Sequence, residues 1–171
     1  MSKSLGNGVG PVDIIPHYGV EAFRYYFLRH VPTQDDGDFT WEKFEAAYNG
    51  ELGNDLGNLV QRVAKMVQNY QAGAIGDAPQ SEHDMGPYRA DMESLNFNLA
   101  IDEIWQIIRS LNQYIERVQP WQVAKKRDKD PEAEAHLGEI LAHACGTLLQ
   151  VSDMLRPFMP QTAEKIHNMF A

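Results

Sequence analysis

A single cysteine, Cys145, stands in the whole sequence, so no disulfide can close within the chain. A lone cysteine among good helix formers reads as a small buried hydrophobe. No apolar run approaches the roughly 18 residues that span a bilayer, and the N-terminus lacks the apolar stretch of a secretory signal. Both absences favour a cytoplasmic protein with no membrane partner. Cations are also scarce: 15 Lys and Arg stand against 24 Asp and Glu, a net charge of −9. A non-specific nucleic-acid binder neutralises phosphates with a basic surface. That class is disfavoured, and any RNA site here has to be local and to work through base contacts.

Catalytic and metal signatures are missing too. The six histidines, His17, His30, His83, His136, His143 and His167, form no H-E-x-x-H and no Cys/His pairing with ligand spacing. His136 and His143 are seven apart, two helical turns, which is too far to share an ion, so no metal site is expected. No G-x-S-x-G, Walker A or paired-glycine nucleotide fingerprint occurs. Asp35, Asp36 and Asp38 cluster, and a solvated acidic loop explains them.

What is present is helical pattern. The length of 171 residues suits one domain, or one domain with a short attached segment. The first forty residues hold Gly6, Gly8, Gly10, Pro11, Pro16, Gly19, Pro32 and Gly37, which punctuate the chain into turns and leave room for one short helix, Val20 to Arg29. From Thr40, a fair N-cap, apolar residues recur at spacings of three and four through Phe44, Leu52, Leu56, Leu59, Val63 and Val67, predicting a helix to about Gln71. A second helix is predicted from Pro87 to about Gln119, with Leu95, Leu99, Trp105, Ile108, Leu111 and Ile115 inward. Pro120 and Trp121 interrupt it, and Gln122 to Lys126 add a further turn. A third runs from Glu132 to about Leu155 and a last short one from Gln161 to Phe170. The fold class is all-α: an antiparallel helical bundle over 40–171, preceded by a short irregular segment, 1–39.

Two sets of residues invite chemistry. Ser2-Lys3-Ser4-Leu5-Gly6-Asn7 places a lysine between serines ahead of a polar turn. Such a segment can lay backbone N–H groups and an ammonium on a triphosphate, where developing charge is stabilised. On chemistry alone a tag-like terminus is the favoured reading. Asn54, Asn58 and Arg62 stand at i, i+4 and i+8 on one helix face. Polar residues so placed are usually solvent-facing, and Trp121 after a proline is usually core.

Together these segments resemble the methionyl-tRNA synthetase family. Met1 to Asn7 is similar to the lysine-methionine-serine-lysine-serine loop of class I synthetases, beginning at the methionine. Gly19 to Tyr26, Asp36-Gly37-Asp38-Phe39 and Trp41-Glu42 continue the match. Tyr48-Asn49 and Glu51 to Arg62 resemble the first long helix of that family's anticodon domain, and Pro120 to Lys125 its proline-tryptophan element. The loop alone indicates class I; the three elements in order point to the methionyl enzyme.

The resemblance implies roles. Lys3 would be catalytic, with Ser2, Lys3 and Ser4 on ATP in the complete enzyme. Asn58 and Arg62 would contact the anticodon of methionine tRNA, Trp121 would stack on an anticodon base, and Asn54 would be structural. Single-stranded loops expose edges that amides and guanidinium groups read, and Lys125, Lys126 and Arg127 would supply local phosphate contacts. The family's histidine-x-glycine-histidine signature has no counterpart here. The implied protein is a C-terminal synthetase piece that binds tRNA and is inactive alone, its catalytic domain lying upstream or in a separate chain. Two alternatives stay open: a component completing an ATP site with a separate catalytic chain, and a purely structural bundle.

Overall fold

The computed structural model describes residues 9–31, 39–74, 83–127 and 130–171, and among them every regular element is helical. The signature-loop residues Ser2, Lys3 and Ser4 lie outside the described residues, as do Asp35, Asp36 and Asp38.

The described part of the N-terminal segment is more regular than its glycines and prolines suggest. Two helices fill most of its described part, α1 (Pro11–Tyr18) and α2 (Val20–His30). Pro11 sits in the first turn of α1, where its missing N–H costs nothing, and the Asp13 carboxylate accepts from the Gly10 amide at 2.8 Å. Gly19, at φ 84°, makes the turn into α2, a conformation that glycine adopts without steric cost.

A continuous helical run then follows, as the periodicity predicts, but its middle departs from α geometry. It consists of α3 (Trp41–Ala47), a π-helical segment (Tyr48–Gly57) and α4 (Asn58–Gln71). Thr40 caps it, its Oγ1 accepting from the Lys43 amide at 3.2 Å. The Asn58 N–H donates to the Gly53 carbonyl, five residues back. Gly57 fits this wider turn: a Cβ there would meet the Leu52 carbonyl oxygen at 3.1 Å.

The predicted second helix is two. α5 (Gly86–Glu93) closes at Ser94–Asn96 and α6 (Phe97–Val118) begins anew. Leu95 takes φ 60° and the Asn96 N–H donates back to the Asp91 carbonyl at 2.8 Å, the wrap of a Schellman C-cap. Glycine is the usual residue there, so a leucine gives no signal in the sequence. The break also resets the helical phase. The buried face of α6 runs through Ala100, Ile101, Ile104, Trp105, Ile108, Leu111 and Ile115. Leu99 lies about 200° around the helix from Ile101. Leu95 and Leu99, expected inside, are therefore outside, at 65% and 46% exposed. Leu99→Ala should change stability by less than about 0.5 kcal/mol in a denaturant titration, unlike a core truncation.

Gln119, left-handed at φ 47°, ends α6; Pro120 then opens α7 (Pro120–Ala124), and α8 (Pro131–Leu155) and α9 (Pro160–Phe170) complete the fold. The main core joins α4, α6, α8 and α9 through residues such as Leu59, Trp105, Leu141, Leu148 and Ile166. Cys145 is buried in it, as the sequence suggested, and burial pushes its thiol up to about 12. A second, smaller aromatic core gathers Ile14, Ala22, Tyr26, Phe39, Phe44 and Ala47.

α2 is tied to the bundle at both ends. Near its start, the Glu21 carboxylate accepts from the Gln161 and Thr162 amides at 2.6 and 3.1 Å and from the Thr162 hydroxyl at 2.6 Å. It thereby caps α9 from outside, satisfying amides that have no partner within that helix. One turn on, Arg24 Nη2 donates to the Pro157 carbonyl at 2.7 Å. Near its end, Arg29 Nη2 meets Asp102 of α6 at 2.9 Å, and its Nε lies 3.5 Å from Glu51 of the π segment.

Candidate nucleic-acid interface

Asn58 and Arg62 are four residues apart on α4, so they share a face. Trp121 comes to the same face by a different route. The left-handed Gln119 and the helix start at Pro120 turn the chain back, and Trp121 arrives half-buried, leaning on the main core with part of its ring free. The three line one open cavity of about 330 Å³, together with Gln61, Lys65, Met66, Asn69 and Tyr70. Asn54, expected on the same face, stands one turn earlier in the π segment and is no part of the lining. Its Oδ1 accepts from Asn58 Nδ2 at 3.4 Å.

Arg62 is held from behind. Its Nη2 donates to Asn112 Oδ1 at 2.9 Å, and its Nη1 pairs with the Glu116 carboxylate. Asn112 in turn donates to the Asp55 carbonyl at 3.2 Å and the Ile108 carbonyl at 3.3 Å. With both contacts made, the guanidinium has a fixed plane, and its charge is largely compensated. A planar donor fork so fixed suits directional recognition of a base edge better than a diffuse phosphate contact. Neither Asn112 nor Glu116 stands out in the sequence, because their roles depend on α6 packing beside α4. The other lining residues carry a weak signal: Gln61, Lys65 and Asn69 repeat the i, i+4, i+8 spacing, displaced three residues along from Asn58 and Arg62.

The basic run after Trp121 divides. Arg127 Nη1 donates to the Tyr70 carbonyl at 3.0 Å and its guanidinium lies 5.9 Å from the Tyr70 ring centre. It fastens the end of α4. Lys125 Nζ lies 3.4 Å from Gln122 Oε1, and both Lys125 and Lys126 are exposed.

The π segment that delivers Asn58 has its own anchor. Glu51 accepts from Tyr25 Oη at 2.5 Å and lies 2.9 Å from His30 Nε2, with Arg29 beside it. Burial works to raise the Glu51 carboxyl, but the hydrogen bonds from His30 and Tyr25 and the Arg29 charge outweigh it and hold it below its ordinary value of 4.5. A carboxylate depressed in the folded state stabilises above its unfolded value, and that contribution is lost as pH falls through the folded one. Glu51→Gln should therefore cost stability at neutral pH, and the gap to the parent should close progressively below pH 4.5. Thermal melts across the acid range check this; a gap that stays constant there would contradict the assignment.

No group of His, Cys, Asp and Glu that could hold a metal occurs among the described residues, and no described helix is long and apolar enough to cross a membrane.

Two family matches cover most of the chain in order. Residues 1–64 match the family described as tRNA synthetases class I (M), and residues 87–170 match the anticodon-binding domain of tRNA ligase. The helices of 87–170 therefore belong to the anticodon-binding domain of a class I aminoacyl-tRNA synthetase, and the segment before them carries the match to the class I (M) synthetases. Among curated proteins, the methionine–tRNA ligase of Streptomyces coelicolor is 42% identical across 97% of this chain and 33% of its own length. That of Bacillus subtilis is 38% identical across 97% of this chain and 26% of its own. A Mycobacterium tuberculosis methionyl-tRNA synthetase solved with bound methionyl-adenylate superposes with a TM-score of 0.88 at 30% identity, covering 97% of this chain and 35% of that one. The chain belongs to the methionyl-tRNA synthetase family, and it spans about a third or less of the length of these relatives.

Proposed function

We propose that this chain is the anticodon-reading part of a cytoplasmic methionyl-tRNA synthetase, binding methionine tRNA so that a catalytic portion can charge it with methionine using ATP. One observation supports this most: Asn58 and Arg62 of α4 and Trp121 of α7, far apart in sequence, line one open cavity, with Arg62 fixed in plane from behind. An amide, a guanidinium and an aromatic ring are the groups that read and stack unpaired bases. Stacking and edge recognition need little net positive charge, which reconciles the reading with a chain of −9. The division of labour follows the sequence: residues 1–39 belong to the end of the catalytic part, with Ser2, Lys3 and Ser4 on the ATP phosphates, and 40–171 read the tRNA.

The test is a titration of labelled anticodon stem-loops. The parent should prefer the methionine anticodon over loops altered at one base. Arg62→Ala should bring that ratio toward one, because the directional donors are gone. A parent that binds all loops alike would sink the proposal. The same chain should support no methionine-dependent exchange of pyrophosphate into ATP, since the nucleotide fold and methionine pocket must come from elsewhere. Exchange by the chain alone would call for a different enzyme.

A further inference from the structure

We infer that Lys65 and Asn69 form a second nucleotide subsite, one turn beyond the Asn58–Arg62 pair, in which Lys65 holds a backbone phosphate and Asn69 reads the edge of a neighbouring base. The inference rests on the anticodon reading of this cavity and extends it to how more than one nucleotide is held.

The cavity runs along α4 from Asn58 to Tyr70, and Asn58 to Asn69 alone spans roughly 16 Å at 1.5 Å per residue. That is several times the spacing of about 3.4 Å between stacked nucleotides of a strand, so one stacked base leaves most of the floor uncovered. Gln61, Lys65 and Asn69, at i, i+4 and i+8, share a face, and all three side chains are exposed. Lys65 follows Arg62 by three residues, so the two cations are neighbours on the helix, yet their situations differ. Arg62 is paired with Glu116 and hydrogen-bonded to Asn112. None of the described ion pairs involves Lys65. The guanidinium is positioned for direction, and the ammonium is available as charge. A flexible point charge is what a phosphate contact needs, whereas base reading needs a fixed plane. Asn69, whose amide both donates and accepts, stands at the end of the floor beside Tyr70. Arg127 secures that end through the Tyr70 carbonyl, so Asn69 projects from a held turn.

The experiment measures stem-loop affinity for the parent, Lys65→Gln and Asn69→Ala, at several salt concentrations and over loops changed one base at a time. Lys65→Gln should weaken every loop by a similar factor and make the slope of log affinity against log salt shallower by about 0.7, the share of one single-strand phosphate. Asn69→Ala should leave the slope unchanged and reduce discrimination at a single loop position by about 2- to 10-fold, the loss of a hydrogen bond. That position should differ from the one affected by Arg62→Ala. If the parent shows no anticodon preference, the anticodon reading and this inference fall together. If the parent discriminates but Lys65→Gln keeps the full slope, or Asn69→Ala keeps full discrimination everywhere, the second subsite alone is refuted. Melting curves of both variants should match the parent, since neither side chain is buried.

Discussion

Trp105→Ala is expected to cost about 3–5 kcal/mol of stability, the range for emptying a buried tryptophan site. Trp105 is 0% exposed at the centre of the main core. The Tyr25 ring lies 4.7 Å from it, and the Arg29 guanidinium stands 4.8 Å over its face. Its loss does more than open a cavity. Arg29 is only 8% exposed and bridges Asp102 and Glu51, and a desolvated cation over an indole is worth about 2 kcal/mol. Removing the indole therefore loosens the bridge between α2, α6 and the π segment as well. For a chain of this size the melting temperature should fall by roughly 6–20 °C. Trp105→Phe, which keeps an aromatic face under Arg29, should lose clearly less. A Trp105→Ala melting temperature within about 2 °C of the parent would show that this is not the core the packing implies.

The bundle itself was legible because three- and four-residue spacing encodes a buried helix face directly. The run from Thr40 to Gln71, the third helix and the last one stand where the pattern put them, and Thr40 caps as expected. The departures share a cause: backbone conformations that the side chains do not announce. Leu95 adopts a left-handed turn usually given to glycine, so one predicted helix is two, and the phase that put Leu95 and Leu99 inside was lost with it. Pro11 and Pro16 read as punctuation, yet Pro11 opens α1 and Pro16 is accommodated within it. The π segment is invisible to a periodicity tuned to 3.6 residues, although three glycines at 50, 53 and 57 mark it in hindsight. Wide turns of this kind are rare and recur at functional sites. Here one delivers Asn58 to the cavity.

The geometry of the candidate cavity was half legible. The resemblance supplied Asn58, Arg62 and Trp121, and spacing alone put the first two on one face. Nothing in the sequence said that Trp121 would reach that face, because its position depends on a left-handed residue at 119 and on α7 packing against α8. Nor could spacing reveal Asn112 and Glu116, which belong to another helix and act only through Arg62. Cross-element contacts of this kind are set by packing, and a single sequence carries no pattern for them.

Trp121 is where packing and recognition meet, and one variant separates them. Trp121→Ala should lower affinity for the methionine anticodon stem-loop by about 1–3 kcal/mol, the range for one stacked base. That corresponds to roughly 5- to 150-fold in the dissociation constant. The ring is half-buried and touches the main core, so some stability goes with it, but less than at Trp105, whose ring is wholly enclosed. Trp121→Phe should recover part of the binding, because a smaller ring still offers a face to the base. Arg62→Ala, on α4 but in the same cavity, should flatten the preference among loops, whereas Trp121→Ala should weaken all loops in near proportion, since every base has a face to stack. Stability and binding measured on the same protein decide the matter. A variant that melts far below the parent yet binds the stem-loop with undiminished affinity at a temperature where it is folded would make Trp121 a core residue only, and would remove the stacking platform from the proposed interface.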